Sequence, residues 1–411
     1  MAKLSAKPDN LNARVFANDE RRATNERPTT RNHQLGLTML LSGIFPPITT
    51  SFYPDGEVYY KKIESNVERY SRTPVAGIVV LGSTGEAILL SDQERRDVLK
   101  TALAAAAPSK VMIAGTGVES AHGTLQLTEY AAELGYDAAL VRTPHYYKKQ
   151  MLPANLLAFY RTVADRSPLP IIVYNFPQAT GYDIPAELVI ELAGHPNIVA
   201  IKESSGNLDK VKQLVEGTRQ VKRQATVTEM FDAVTPRMLK AAAAESEKQS
   251  RELVSVAALT GSAEAVERRS PSPVHADSAA KPSSSAVTVV GKLKTRQKEV
   301  GFQVMVGAAH QLEPSLSLGA VGAILAFACP APMACYEIYA AFKDGDNDLA
   351  GEKQERVRLA AQRVVGDLGI PGVKHSLDLN GYYGGPSRLP FLPLSGEQKS
   401  EIEELMAGIR S

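Results

Sequence analysis

From Gly43 onward, short apolar runs alternate with segments of helical periodicity, and six such pairs follow one another. The apolar runs predict strands at 44–52, 77–81, 110–115, 138–143, 170–174 and 198–202. The segments between them predict helices near 57–72, 91–107, 120–134, 153–166, 185–194 and 207–218. Because the runs are apolar throughout rather than alternating with polar residues, we expect strands that are buried on both faces, as in a parallel sheet.

The same pattern resumes after a gap and decides between two parallel architectures. Six βα units in a row fit either a barrel or a doubly wound sheet. Two further apolar runs, at 302–306 and 321–327, and a helix near 332–343 raise the strand count to eight. We therefore predict an α/β fold, a (β/α)8 TIM barrel, over residues 43–345. The tail, 346–411, predicts a C-terminal helical extension with helices near 350–365 and 396–408.

The gap itself, residues 220–299, holds no strand pattern. Serine, proline and alanine supply 13 of the 17 residues in 270–286, a composition that buries too little apolar area to offset the entropy of ordering. We predict a disordered low-complexity insertion between helix 6 and strand 7, with one helical piece near 229–257. Such an insertion lies at the N-terminal end of a barrel, away from the catalytic end. Residues 1–42 are polar and predict a flexible N-terminal extension.

Composition and charge exclude several classes of protein. With 46 basic and 45 acidic residues and a net charge of +1, the 411-residue chain lacks the basic surface typical of nucleic-acid binding. Its 44% of hydrophobic residues suffices for a sizeable core. Two cysteines cannot build a disulfide framework, which favours a reducing compartment. Segment 314–336 is uncharged, but its prolines and glycines indicate buried soluble structure rather than a membrane span.

The N-terminal residues bear on the cellular location. The first forty residues contain no apolar segment of a secretory signal peptide, so we expect a cytoplasmic protein. Five arginines between residues 14 and 31 raise a mitochondrial location as the alternative, whereas the acidic residues among them count against it.

The candidate chemistry lies where predicted strands end, because residues at the C-terminal ends of barrel strands line the active site. Lys202 follows four apolar residues of the sixth predicted strand. Burial of an unpaired lysine favours its neutral form, and a neutral amine is the nucleophile that a Schiff-base enzyme needs. The structural alternative is a lysine paired with Glu203 or another carboxylate.

Three other strand ends carry polar or aromatic residues. Tyr174 is 28 residues before Lys202, one βα repeat, so the two residues end neighbouring strands and can face one site. Tyr174 could be an acid/base group or a half-buried aromatic residue. Segment 82–86 (Gly-Ser-Thr-Gly-Glu) allows backbone N–H groups to approach an anion, or it is a tight strand-to-helix turn. Segment 143–147 (Thr-Pro-His-Tyr-Tyr) predicts packing or subunit contacts.

Together these motifs resemble one family. Segment 82–86, the aromatic loop 143–147, the Tyr-Asn-Phe-Pro segment 174–177 and the lysine strand occur in the order and spacing of the dihydrodipicolinate synthase / N-acetylneuraminate lyase family of class I pyruvate aldolases. The resemblance covers the chain except its N-terminal extension and its insertion.

Carried over residue by residue, the resemblance implies a catalytic centre. Lys202 would form an imine with the 2-oxo carbon of the substrate, and Tyr174 would be the general acid/base. Four residues would bind the substrate: Ser83, Thr84, Gly307 and Ile324. No cofactor would be needed beyond the covalent imine on lysine. No metal is required either, and the seven histidines form no convincing ligand cluster.

The resemblance also implies an assembly that shares tyrosines between subunits. Tyr146 would reach into a neighbouring subunit and complete a proton relay with Thr84 and Tyr174. Tyr147 is the alternative for that role, because it is one position away. The assembly would be a homotetramer built as a dimer of dimers.

Two features bear on the choice of substrate. Segments 369–374 (Gly-Ile-Pro-Gly-Val-Lys) and 381–386 (Gly-Tyr-Tyr-Gly-Gly-Pro) are most similar to the 4-hydroxy-2-oxoglutarate aldolase branch. Synthase members usually place an arginine at the position of Ala179, where it binds the carboxylate of the aldehyde substrate, and alanine cannot form that bidentate pair. Arg142 or a backbone nest could serve instead.

We therefore predict cleavage of 4-hydroxy-2-oxoglutarate to pyruvate and glyoxylate. A 2-keto-3-deoxy sugar acid aldolase and the dihydrodipicolinate synthase reaction are the alternative activities. A silent barrel used for binding or regulation is the alternative outside enzymology, because a long insertion could recruit partners.

Overall fold

The computed structural model describes residues 37–230, 232–259, 288–290 and 293–409. In chain order, the strands of these ranges are β1 Leu37–Thr38, β2 Gly43–Phe45, β3 Gly77–Val80, β4 Val111–Gly115, β5 Ala138–Arg142, β6 Ile171–Asn175, β7 Ile198–Glu203, β8 Arg223–Thr228, β9 Thr288–Val290, β10 Leu293–Val300, β11 Gln303–Val306 and β12 Gly322–Ile324. The helices are α1 Tyr60–Ser71, α2 Asp92–Ala105, α3 Ala121–Leu134, α4 Pro153–Arg166, α5 Pro177–Thr180, α6 Ala186–Ala193, α7 Leu208–Gly217, α8 Pro236–Leu259, α9 Leu312–Ser317, α10 Pro332–Lys343, α11 Asn347–Ala361, α12 Gly369–Leu379 and α13 Gly396–Met406.

Eight parallel strands form a barrel in the order β2-β12-β11-β7-β6-β5-β4-β3. The ring closes between β2 and β3 through a parallel bridge that joins Pro47 to Val79. Two backbone hydrogen bonds of 3.0 Å support this bridge, one from the Ile48 amide to Val79 O and one from the Val79 amide to Pro46 O. The predicted TIM barrel is confirmed, and the doubly wound alternative is excluded by the closure.

Both faces of the barrel strands are buried, which explains their continuous apolar sequences. In β5, Ala138 and Leu140 belong to the cluster that fills the barrel interior. Their neighbours Ala139 and Val141 belong to the larger cluster between the strands and the surrounding helices. Successive side chains on a strand point to opposite faces, so an all-apolar strand fits only where both faces are covered.

The prediction that residues 220–299 contain no strand was wrong. Strands β8 and β10 pair antiparallel over six residues each, and β1 and β9 complete a second sheet in the order β1-β8-β10-β9. In β8 only Ala225 and Val227 are fully buried, and Gln224, Thr226 and Thr228 alternate with them on the opposite face. Such a one-sided strand has no continuous apolar run. Helix α8 corresponds to the predicted helical piece, whereas segment 270–286 lies outside the described residues.

The predicted N-terminal extension, 1–42, reaches too far along the chain. Strand β1 pairs with β8, and Met39 and Leu41 are buried in the barrel interior. Gln303, at the start of β11, holds this segment by accepting from the Leu41 amide at 2.6 Å and donating to Met39 O at 2.8 Å. Residues 1–36 lie outside the described residues.

The second sheet and α8 contact the N-terminal end of the barrel. Arg223 on β8 donates to Ala193 O at 2.7 Å and to His195 O at 2.8 Å, just before β7 begins. Arg237 on α8 lies 3.5 Å from the carboxylate of Asp137, which directly precedes β5. The described part of the insertion therefore leaves the opposite end of the barrel open.

Helices α11, α12 and α13 form the C-terminal extension, in which α12 had not been predicted. The uncharged segment 314–336 contributes to α9, β12 and α10, and thus to the barrel. Within the described ranges, no helix combines the length and the apolar character that a membrane span requires.

Candidate active site

Tyr174 and Lys202 lie side by side on β6 and β7. The pairing of the two strands begins with Ile171 opposite Ile198, then shifts by one residue so that Tyr174 stands opposite Lys202. The Nζ atom of Lys202 is 4.1 Å from the centroid of the Tyr174 ring. The structure thus brings together the two residues that the spacing had placed at one site.

Lys202 is only 4% exposed. The alternative in which it pairs with Glu203 does not occur, because successive strand residues point to opposite faces. Glu203 instead accepts from Asn175 Nδ2 at 2.9 and 3.1 Å and lies 3.6 Å from Lys210 Nζ. Among the described residues, no carboxylate forms an ion pair with Lys202.

A buried polar network on the outer side of β6 and β7 fixes these strands. Asn175 donates to Asp183 at 2.7 Å as well as to Glu203, and its own side-chain oxygen accepts from the Ile184 amide at 3.0 Å. Lys210 of α7 pairs with Asp183 and reaches toward Glu203. This network was not predicted from the sequence, although Asn175 and Glu203 each follow directly after a proposed catalytic residue.

The Ser83 hydroxyl faces the phenol of Tyr174. Ser83 and Thr84 lie in a short turn that follows β3, and the Ser83 and Tyr174 oxygens are 3.4 Å apart. Thr84 is buried, and its hydroxyl makes no hydrogen bond among the described residues. The structure therefore pairs Tyr174 with Ser83, whereas the resemblance had given that relay position to Thr84; neighbouring residues of a tight turn point in different directions.

The backbone of this turn is strained at both ends. Leu81 and Glu86 have φ values of 62° and 54°, in the left-handed region that non-glycine residues rarely adopt. Gly115 of β4 packs against the turn, and a Cβ atom there would lie only 2.1 Å from Leu81 O. Close approach of β4 thus depends on glycine at position 115.

The C-terminal extension supports the turn through a buried ion pair. The Nζ atom of Lys374 on α12 lies 2.6 Å from the carboxylate of Glu86, and both side chains are almost fully inaccessible. Glu86 also accepts from the Arg388 amide at 2.8 Å, and Lys374 donates to Pro386 O at 2.7 Å. Burial lowers the pKa of Lys374 although the Glu86 carboxylate opposes this change.

Glu119 organises the loop that contains the two tyrosines. Its carboxylate accepts from the amides of His145 and Tyr146 at 2.9 and 3.0 Å and from Arg142 Nη1 at 3.0 Å. Burial alone would raise the pKa of Glu119, but these three donors outweigh it, so the pKa lies below its usual range. Tyr146 is 76% exposed, and its ring contacts that of Tyr147.

A cleft opens between the C-terminal ends of β3, β4, β5 and β6. It is lined among others by Ser83, Arg95, Gly117, Arg142 and Tyr174. Tyr174 thus contacts both features of the site, because it lines the cleft and its ring lies against the Lys202 amine.

The two remaining predicted pocket residues lie on the neighbouring strands. Gly307 directly follows β11, and a Cβ atom there would overlap the Ser204 side chain. Ile324 on β12 is fully buried in the same interior cluster as Tyr174. Ala179, where an arginine would mark a synthase, is exposed in α5. The part of the chain that the structure describes contains no group of three or more metal-ligating side chains.

Known proteins of one enzyme family are similar to this chain in sequence. The chain matches the model of the dihydrodipicolinate synthetase family over residues 40–246 and 279–408. It is 27% identical over 367 residues to a 4-hydroxy-tetrahydrodipicolinate synthase of Methanothrix thermoacetophila. The aligned residues make up 89% of this chain and 96% of that protein. The synthase of Xanthomonas axonopodis pv. citri is 42% identical over 177 residues, 43% of this chain and 58% of that protein.

Solved structures share the fold. Dihydrodipicolinate synthase DapA-2 of Bacillus anthracis has a TM-score of 0.68 at 20% identity, covering 91% of this chain and all of that one. A prophage protein of E. coli K12, solved with pyruvate, has a TM-score of 0.66 at 23% identity, covering 90% of this chain and 99% of that one.

The family match confirms the predicted superfamily and the predicted class of enzyme, a pyruvate-dependent carbon–carbon lyase that uses a lysine Schiff base. It does not separate the 4-hydroxy-2-oxoglutarate aldolase branch from the synthases, so the branch stays a prediction. Because the matched ranges include every strand of the barrel, the chain belongs to the dihydrodipicolinate synthetase family.

Proposed function

We propose that this protein is a class I aldolase that cleaves 4-hydroxy-2-oxoglutarate to pyruvate and glyoxylate. The observation that carries the proposal is the buried amine of Lys202, 4.1 Å from the ring centroid of Tyr174 and without a carboxylate partner among the described residues. An amine that is shielded from water and not held in an ion pair is available to condense with a ketone.

The first half of the reaction joins substrate and enzyme. The Lys202 nitrogen attacks the C2 carbonyl of the 2-oxo acid, and uptake of one proton from solvent with loss of one water molecule leaves a protonated imine. Ser83 and Thr84, in the turn after β3, offer hydroxyls and backbone amides to the C1 carboxylate. The positive imine nitrogen is an electron sink for the next step.

The second half breaks the C3–C4 bond. Tyr174 accepts the proton of the C4 hydroxyl while the C3–C4 electron pair moves toward the imine, which gives an enamine on Lys202 and frees glyoxylate. Protonation at C3 and addition of water then release pyruvate and restore the amine. A free tyrosine, with a pKa of about 10, is a poor base near neutral pH. The Ser83 hydroxyl, 3.4 Å from that of Tyr174, provides a path by which the proton can leave.

The subunit arrangement belongs to the same proposal. Tyr146, Tyr147 and Ile88 are exposed by 76%, 64% and 60%, and Ile88 also lines the cleft. A second copy of the chain that covers this surface would bring its own tyrosine to the site, as in a homotetramer built from dimers.

A second candidate activity is the synthase reaction, because the similar proteins of Methanothrix thermoacetophila and Xanthomonas axonopodis pv. citri are named 4-hydroxy-tetrahydrodipicolinate synthases. Against it, Ala179 offers no cation to the aldehyde substrate. Assaying pyruvate release from 4-hydroxy-2-oxoglutarate and from 2-keto-3-deoxy sugar acids, beside pyruvate consumption with the synthase's aldehyde substrate, distinguishes these activities.

Borohydride reduction in the presence of pyruvate, followed by mass spectrometry of peptides, tests the chemistry itself. We expect a stable pyruvate adduct on Lys202, none in Lys202→Ala, and an unchanged yield in the matched control Lys212→Ala, whose side chain is exposed on α7. An adduct on a different lysine, or no adduct at all, would show that the protein is not a Schiff-base aldolase acting through Lys202.

A further inference from the structure

Arg142 is aimed into the candidate active site. It ends β5, where it stands opposite Tyr174 in the pairing with β6. Its side chain shares the inner face of the strand with Leu140, lines the cleft and is 18% exposed. Gly117 makes room for Arg142, since a Cβ atom at position 117 would lie 2.4 Å from the backbone nitrogen of Arg142 and 3.1 Å from its Cγ.

The Arg142 guanidinium is held by one of its nitrogens. Nη1 lies 3.0 Å from Glu119 Oε1 and 2.7 Å from His145 Nδ1. Its Nε and Nη2 atoms have no hydrogen-bond partner among the described residues. These two atoms form the edge of a guanidinium that matches the two oxygens of a carboxylate. The side chain is therefore oriented at one edge and unoccupied at the other.

A second guanidinium, that of Arg95 on α2, lines the same cleft. Its Nε donates to Ala87 O at 2.9 Å, whereas its terminal nitrogens have no acceptor among the described residues. Burial lowers the pKa of Arg95, and the charges of Asp92, which raises it, and Arg142, which lowers it, also act on this group. Both guanidiniums line the cleft, and no carboxylate does so among the described residues, an arrangement that favours an anionic ligand.

We propose that Arg142, assisted by Arg95, binds the carboxylate at the aldehyde end of the aldol substrate. This inference rests on the proposed function and names the residues that recognise the second carboxylate of 4-hydroxy-2-oxoglutarate, a group that a 2-keto-3-deoxy sugar acid with a polyhydroxyl tail lacks. Arg142 is then a specificity-determining residue, and it supplies from β5 the cation that Ala179 does not supply from α5.

Imine trapping with non-cleavable ligands tests this recognition without requiring turnover. The probes are 2-oxoglutarate, whose second carboxylate ends a five-carbon chain, 2-oxopentanoate, which has the same length and a methyl end, and pyruvate. The concentration that gives half-maximal borohydride trapping on Lys202 is measured for each. In the wild-type protein we expect the half-maximal concentration to be lower for 2-oxoglutarate than for 2-oxopentanoate.

In Arg142→Gln, the half-maximal concentration of 2-oxoglutarate should rise by about 10- to 150-fold, the range for losing a hydrogen bond to a charged group. The values for 2-oxopentanoate and pyruvate should stay within about threefold. Arg142→Lys keeps the positive charge but cannot form the bidentate hydrogen bond. Its half-maximal concentration of 2-oxoglutarate should lie between those of the wild-type protein and Arg142→Gln. Arg96→Gln is the matched control, because Arg96 lies next to Arg95 on α2 but pairs with Asp92 outside the cleft.

The outcomes separate this inference from the proposed function. Equal losses for all three probes in Arg142→Gln, or no preference for 2-oxoglutarate in the wild-type protein, would overturn the carboxylate site while pyruvate trapping upheld the aldolase. Absence of any pyruvate adduct in the wild-type protein would overturn both.

Discussion

Lys202 stands opposite Tyr174 because β7 contains one extra residue relative to β6. Ile171 pairs with Ile198, but Ile172 pairs with Ala200, so the register changes by one within two residues. Without this bulge Tyr174 would face Ile201, whose side chain packs against the outer helices. Bulges of this kind commonly re-aim a side chain beside an active site.

This juxtaposition predicts that Tyr174→Phe separates imine formation from carbon–carbon cleavage. Removal of the phenol oxygen takes away the group that accepts the C4 hydroxyl proton, so kcat for pyruvate release should fall by about 10²- to 10⁴-fold. Pyruvate trapping on Lys202 should persist, because the ring that packs against the amine remains. Tyr182→Phe is the control, since Tyr182 follows α5 and its hydroxyl makes no hydrogen bond among the described residues. Loss of trapping in Tyr174→Phe would contradict the separation.

The two hydroxyls of the turn after β3 should have different roles. Ser83 lies 3.4 Å from the Tyr174 hydroxyl, and Thr84 has no such contact. We expect Ser83→Ala to lower kcat, because the proton loses its path from Tyr174, and Thr84→Val to act mainly on KM. Steady-state kinetics of both variants provide the measurement. The opposite pattern would return the relay to Thr84.

The barrel could be predicted because its strands are buried on both faces. Ile172 and Tyr174 point inward while Ile171 and Val173 point outward, so the run carries the signal in every position. Strand β8 buries only every second residue and has no such run. Helix α12 was missed for a different reason, since it begins with two glycines and a proline. Gly372 belongs there because a Cβ atom would lie 2.5 Å from Val364 O.

The proposed catalytic residues of the site could be predicted from the sequence, whereas the residues that support them could not. Ser83, Tyr174 and Lys202 lie in short motifs at the ends of β3, β6 and β7, and one βα repeat separates Tyr174 from Lys202. The pair between Lys374 and Glu86 joins the C-terminal extension to the turn after β3, and nothing in the sequence indicates that distant partner. Glu119 gave no signal either, because it lies in an ordinary loop after β4.

The buried pair of Lys374 and Glu86 should contribute strongly to stability. Lys374→Met leaves the Glu86 carboxylate buried without its counter-ion, which should lower the free energy of unfolding by about 3–5 kcal/mol. Lys353→Met breaks a pair with Glu337 in which both side chains are partly exposed, and should cost about 0–1 kcal/mol. Urea unfolding of both variants measures the difference. Equal losses of unfolding free energy in the two variants would mean that burial does not increase the contribution of the Lys374–Glu86 pair to stability.

Glu94 should make the fold lose stability in acid. Hydrogen bonds from Arg388, at 2.6 and 3.0 Å, and from the Ser91 amide hold the carboxylate in its charged form. The Arg388 side chain is the main cause that lowers the pKa of Glu94 from 4.5 to about 2. A folded pKa below the unfolded value gives stability that is fully present above the unfolded value and is lost as the pH falls through the folded one.

Glu94→Gln isolates this contribution. The difference in free energy of unfolding between the wild-type protein and Glu94→Gln should be constant from pH 7 to about pH 5, then shrink as the pH falls from 4.5 toward 2. Denaturant unfolding at several pH values gives this difference. Glu64→Gln serves as the control, because Glu64 is exposed on α1 and forms no ion pair among the described residues. A difference that stayed constant down to pH 2.5 would mean that Arg388 does not hold Glu94 charged.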